Sequence, residues 1–231
     1  MGRVPLTFGC GYRRFVAGST VVLDVDGTLV DSSYHHTLCW ARALESVGIT
    51  VPLWRIHRAI GMGGDKLVGY VAGDEVEKSH GDAVRAQWEQ EYDAVIGEVR
   101  PLPGARELLA ALHGRDVDVA LASSSIPKHA DHAFELLDAE SMADTATTAE
   151  DAEESKPDPE LVEVALDRLS ADAACVIGDS VWDVKAAGRA GVPAYGVLTG
   201  GTSEAELLAA GAVRVYRDAS DLLDQLGEWL P

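Results

Sequence analysis

Two aspartates spaced two apart, Asp24 and Asp26, close an apolar run that starts at Val21 and breaks at Gly27-Thr28. An uninterrupted apolar run of this kind forms a fully buried strand. In an extended strand residues i and i+2 face the same way, so both carboxylates are expected to enter one site at the strand's carboxyl end. Buried charge is costly unless a metal or another cation compensates it, so a buried strand has no structural use for two ionised carboxylates. The bland alternative is a solvated acidic turn between strand and helix.

Three more polar clusters follow apolar runs or open helices. Ser123-Ser124-Ser125 comes directly after Val119-Ala120-Leu121-Ala122, and alone it reads as a helix cap. In Ser155-Lys156-Pro157-Asp158-Pro159, Asp158 can cap a helix whose first residue is Pro159. Lys156 then lies beside a helix N-terminus, where an anion is favoured, although a lone lysine there is ordinarily a solvated one. In Gly178-Asp179-Ser180-Val181-Trp182-Asp183, two carboxylates four apart at a strand–helix junction can face one cation.

Hard oxygen ligands without a His/Cys cluster select Mg²⁺ over zinc. A carboxylate beside Mg²⁺ can accept a phosphoryl group and form an aspartyl-phosphate. A second carboxylate can protonate the leaving oxygen and then activate water. Serine and lysine would hold the phosphoryl oxygens as charge redistributes.

For these groups to meet, the chain must place them at one edge of a sheet. From about residue 100 onward helices and strands alternate. Strands are expected at 117–122, weakly at 142–147, then at 173–177, 194–198 and 213–216, with helices at 127–137 and 159–169 among those between. This rhythm predicts an α/β fold with a doubly wound parallel sheet, whose ligands gather at the carboxyl ends of the strands. Residues 33–99 are helical in pattern, with Asp31-Ser32 as the cap of the first helix and Val84, Trp88, Tyr92 and Val95 on one face of the longest. That stripe reads as packing inside a helical bundle. The punctuated segment Arg100-Pro101-Leu102-Pro103-Gly104 reads as a hinge. The expected organisation is an N-terminal tail over 1–19, a core over 20–32 and 100–231, and an inserted all-helical domain over 33–99.

The 231 residues, 47% hydrophobic and 25% charged, suit a globular chain with one large core or a core plus an insert. A net charge of −19 argues against nucleic acid and anionic membranes as partners. It leaves room for a small anionic substrate where a metal and a few cations dominate locally. No apolar run approaches the ~18–20 residues that span a bilayer. The apolar residues of 1–19 are interrupted by Pro5, Thr7, Gly9 and Gly11, a poor secretion signal. Three widely spaced cysteines, Cys10, Cys39 and Cys175, fit free thiols in a reducing cytoplasm.

Asp-Val-Asp-Gly-Thr-Leu-Val-Asp over 24–31, Ser123 after its strand, Lys156-Pro157, and Gly178-Asp179-Ser180 with Asp183 resemble, in order, the four motifs of the haloacid dehalogenase superfamily. The resemblance covers about 20–228. It implies Asp24 as nucleophile and Asp26 as general acid/base, with Ser123 and Lys156 binding the phosphoryl group. Gly27, Thr28 and Ser124 join them as phosphate-binding candidates. It implies Mg²⁺ held by Asp24, Asp26 (through its backbone carbonyl) and Asp179, with Asp183 in support. It also makes the helical insert a cap that closes over the core and His36 a hinge residue, while Lys66 in the insert's loop reads as a solvated or substrate-contacting lysine.

Dehalogenases lack an acid/base aspartate at the position of Asp26, so the chain resembles the phosphotransfer branch. The expected activity is Mg²⁺-dependent hydrolysis of a small phosphorylated metabolite by a monomer or homodimer. Two alternatives share the core. The loop Gly61-Met62-Gly63-Gly64-Asp65-Lys66 lacks the Ser-Arg pair of β-phosphoglucomutase. Lys66 sits near the Schiff-base lysine of phosphonoacetaldehyde hydrolases. A receiver-type signalling module is about half this length and has no such insert, and a silent metabolite-binding relative conflicts with the intact polar set. His129 and His132 can share a helix face without a third ligand, and His57, His80 and His113 read as solvated. Lys156→Ala is expected to cost activity and to leave stability alone.

Overall fold

The computed structural model describes residues 19–115, 117–171 and 173–230. The expected tail and Cys10 lie outside the described residues, except that Ser19 already belongs to the first strand. Six strands, β1 (Ser19–Asp24), β2 (Asp118–Ala122), β3 (Thr145–Thr147), β4 (Ala173–Gly178), β5 (Ala194–Val197) and β6 (Arg214–Tyr216), form one sheet in the order β3-β2-β1-β4-β5-β6. Every pair in it is parallel. The expected doubly wound sheet is therefore present, with β1 at its centre.

The alternation of side chains explains why β1 reads as continuously apolar. Val21 and Leu23 face one core and Val22 the opposite one. The first core is filled by α5 (Ala105–His113), α6 (Pro127–Leu137), α10 (Ala219–Asp224) and α11 (Leu226–Trp229). The second is filled by α7 (Glu160–Leu169), α8 (Val181–Arg189) and α9 (Glu204–Ala210). A parallel sheet covered on both faces needs apolar residues at successive positions.

Between β1 and α5 lie α1 (Ser33–Ser46), α2 (Leu53–His57), α3 (Gly64–Ala72) and α4 (Asp74–Val95). The long helix α4 packs on both α1 and α3. Segment ends differ from expectation by a few residues, as hydrogen bonding at termini decides them. The third strand shrinks to Thr145–Thr147. No helix among the described residues is long and apolar enough to cross a membrane. Cys39 and Cys175 are buried free thiols.

Candidate active site

Strand register brings the polar clusters together. Asp24 pairs with Ala122 and Leu23 with Ile177, so β1, β2 and β4 end side by side. Asp24, Ser123 and Asp179 emerge from those ends, and Lys156 arrives from the loop ahead of α7. The turn after Asp24 is built tightly: the amides of Leu29 and Val30 donate to the Val25 carbonyl at 2.9 and 3.1 Å. Gly27 sits in this turn at φ +86°, where a Cβ would lie 2.6 Å from Asp179 Oδ2. Gly27→Ala is therefore expected to lower stability by about 1–3 kcal/mol through left-handed backbone strain and crowding of Asp179. Thermal melting of the variant checks this, and an unchanged melting temperature would contradict the turn described.

The two aspartates of the first motif do not share one environment. The strand ends at Asp24, and the turn carries Asp26 to a different set of partners. Asp24 is buried against the Lys156 ammonium, and the Thr28 hydroxyl lies between Asp24 Oδ2 (2.9 Å) and Asp179 Oδ1 (3.1 Å). Lys156 also forms an ion pair with Asp183 Oδ1 at 2.8 Å and donates to the Ala122 carbonyl at 3.2 Å. Asp183 Oδ2 accepts from the Ser180 hydroxyl at 2.6 Å and the Ser180 amide at 3.1 Å, closing a capping box at the start of α8.

Asp26 accepts from the hydroxyls of Ser32 (2.7 Å), Ser123 (3.1 Å) and Ser125 (3.0 Å), and its Oδ1 lies 3.1 Å from His36 Nε2. Ser32 thus spends its hydroxyl on Asp26, and no side-chain cap forms at the start of α1. Burial alone would raise Asp26, but His36 and the serine hydroxyls outweigh it and hold the carboxyl well below its usual range.

Asp24, Asp179 and Asp183 offer carboxylate oxygens within 4.8 Å of one another, all buried. The Asp26 carboxylate is not part of this group, since its lone pairs go to the serines and His36. Three carboxylates against one ammonium leave buried negative charge. Burial first, then the charge of Asp183, push Asp24 up to about 7, and burial with the charge of Asp24 pushes Asp179 well above the carboxylate range. Burial would lower Lys156, but Asp183 and Asp24 outweigh it and keep the ammonium protonated. A buried set of hard oxygen donors with excess negative charge fits a divalent cation such as Mg²⁺.

The remaining candidates divide. Ser124, Gly64 and Met62 line a cavity of about 40 Å³ that also touches Asp24 and Asp26, room for a few waters. Ser123 is fully buried beneath it. Lys66 lies elsewhere: its ammonium bonds Glu154 Oε2 at 2.9 Å and the Ser155 carbonyl at 2.8 Å. The loop carrying Lys66 docks against that segment, which takes the lysine away from the cavity.

Several contributors escaped the sequence. Trp88 of the apolar stripe forms a wall of the cavity, stacked on Trp40 with ring centroids 4.8 Å apart, and Tyr92 stacks on His36 at 4.0 Å. The stripe therefore packs inside the helices and also faces the site. His57 is half-buried, its Nε2 2.9 Å from the Gly200 carbonyl. His129 is buried, with its Nε2 2.9 Å from Asp93 Oδ1. No local signal marks these pairings. Ser125 was visible only as the third serine of its run.

A family model described as haloacid dehalogenase-like hydrolase matches residues 19–191. A probable phosphatase of Dickeya dadantii is 31% identical over 196 residues, covering 82% of this chain and 85% of that protein. The β-phosphoglucomutase of Bacillus subtilis is 29% identical over 224 residues, covering 90% of this chain and 94% of that protein. The crystal structure of a hydrolase from Pseudomonas syringae superposes with a TM-score of 0.87 at 33% identity, covering 92% of this chain and 100% of that one.

Proposed function

The chain belongs to the haloacid dehalogenase-like hydrolase family, and from that premise we propose that it is a Mg²⁺-dependent phosphatase for a small phosphorylated metabolite, working through a phospho-aspartate on Asp24. The observation that carries this reading is the pairing of two differently placed aspartates: Asp24 among buried carboxylates and Lys156, and Asp26 among hydrogen-bond donors.

Asp24 attacks the phosphorus, the phosphorus–oxygen bond to the leaving group breaks, and the leaving oxygen takes a proton from the Asp26–His36 pair. Asp26 then accepts a proton from water as that water attacks the aspartyl-phosphate, returning Asp24 and releasing inorganic phosphate. Lys156 balances charge on the transferring group throughout. Asp24, Asp179 and the Asp26 backbone carbonyl, with Asp183 beside them, would hold the metal, which when bound would neutralise phosphoryl charge and keep Asp24 ionised for attack.

Residues 33–99 serve in this reading as a cap. The cavity over Asp24 supports it, because it is lined both by the insert (His36, Trp40, Trp88 and the loop at 60–64) and by the core (Asp26, Ser124 and Ser125). Cytoplasmic location belongs to the same reading.

The test is phosphate release from phosphoglycolate, hexose phosphates, nucleoside monophosphates and phosphonoacetaldehyde, with and without Mg²⁺. Mg²⁺-dependent release from at least one phosphomonoester is expected. Release from none, together with isomerisation of β-glucose 1-phosphate, would replace hydrolysis with mutase chemistry on the same core.

A further inference from the structure

Ser155, the residue just before Lys156, is gripped by the loop that begins α3. Its hydroxyl donates to Asp65 Oδ1 and accepts from the Gly63 amide at 2.9 Å. Its amide donates to Asp65 Oδ2 at 3.2 Å. Its carbonyl accepts from Lys66 Nζ at 2.8 Å and from the Asp158 amide at 3.1 Å. Every polar group of Ser155 is thus bonded, and all but one of those bonds come from residues 63–66, about ninety positions away in sequence.

The grip is close. A Cβ on Gly63 would lie 2.6 Å from Ser155 Oγ, so only glycine allows this approach. The loop is also held from behind, where Arg85 of α4 donates to the Gly64 carbonyl at 3.1 Å while pairing with Glu77 and Asp82. A continuous set of bonds therefore runs from α4 through the loop and Ser155 to the backbone of Lys156. The Lys156 ammonium sits at the other end, shared between Asp24, Asp183 and the Ala122 carbonyl.

Lysine reaches its target on a flexible four-carbon stem, and its aim depends on where the backbone is anchored. We propose that Asp65 and Lys66 are positioning residues: seated on Ser155, they hold Lys156 against Asp24 and set the rate of phosphoryl transfer without touching substrate. The proposal rests on the phosphatase reading of Asp24 and Lys156. It gives Lys66 a role distinct from the solvated or substrate-contacting one expected from the loop's sequence. It also couples activity to the seating of the helical segment, since the catalytic lysine is aimed only when the loop is docked.

The test compares Asp65→Ala and Lys66→Met with wild type on acetyl phosphate, whose leaving group is too small to contact the loop, and on a hexose phosphate. Each variant is expected to lower kcat about tenfold on both substrates, with KM within about twofold. Exchange of the Ser155 amide in Asp65→Ala should accelerate by a similar factor, as its acceptor is gone. Adding Asp65→Ala to Lys156→Ala should cost little more than Lys156→Ala alone, because both act through one ammonium. Losses confined to the hexose phosphate and appearing in KM would make these residues substrate contacts and overturn the proposal. Additive losses in the cycle would do so as well. If Asp65→Ala fails to fold, Asp65→Asn, which keeps one acceptor, takes its place with a smaller expected loss. A wild type inactive on every phosphate ester would remove the phosphatase reading and this proposal together. An active wild type with indifferent variants would remove the proposal alone.

Discussion

Asp24→Asn is expected to reduce turnover by at least about 10⁴-fold and to abolish acid-stable phosphoenzyme, with the fold intact. An amide of the same shape keeps the Thr28 contact but is a far weaker nucleophile. The substitution also removes one of three mutually repelling buried carboxylates, while Lys156 retains Asp183 and the Ala122 carbonyl. The melting temperature without divalent cation is therefore expected to hold within a few degrees. Steady-state phosphate release, intact-mass detection of the phosphoenzyme and a thermal melt check the three parts. Wild-type turnover in this variant would move the nucleophile away from Asp24.

Lys156→Ala is expected to act on both activity and stability. For activity, loss of the ammonium that balances phosphoryl charge should cost about 10²–10³-fold in kcat/KM, comparable to removing a transition-state donor. For stability, the sequence alone suggested no effect. The structure changes that expectation, because the ammonium is 2% exposed and lies between the carboxylates of Asp24 and Asp183. Removing one member of a buried ion set strands the others, at a cost of about 3–5 kcal/mol. For a chain of this size that corresponds to a fall of roughly 6–20 °C in melting temperature. Mg²⁺ should restore part of the stability but not the activity, as it compensates the stranded carboxylates without replacing the lysine. Kinetics and melts with and without Mg²⁺ separate the two effects. An unchanged melting temperature would mean that Lys156 is not held in the buried set.

Some of this was legible in the residues. The apolar run ending in Asp24 marked a strand buried on both faces, because a parallel strand covered by helices needs apolar residues at every position. The alternation beyond residue 100 marked the parallel sheet, and sheet geometry then required Asp24, Ser123 and Asp179 to emerge at one edge. These inferences rest on periods of two and 3.6 residues, which are local properties of the chain.

What the sequence could not determine is which polar group each of those residues meets. Spacing predicted a shared site for Asp24 and Asp26, and both do line one cavity, but the strand ends at Asp24 and the turn that follows gives Asp26 its own partners in Ser32, His36, Ser123 and Ser125. Lys66 read as a solvated or substrate-contacting lysine, and docking of its loop gave it to Glu154 and the Ser155 carbonyl. Trp88 and Tyr92 read as a packing stripe, and the path of α4 across α1 also brought Trp88 to the cavity and Tyr92 onto the ring of His36. Each of these partnerships joins positions far apart in the chain, and each formed because a buried polar or aromatic group takes the partner that the packed elements bring within reach. The sequence by itself determined the strands, the helices and the chemical types at the sheet edge; the tertiary structure decided their pairing, because hydrogen-bond reach of about 3 Å is set by how whole elements pack and not by local spacing.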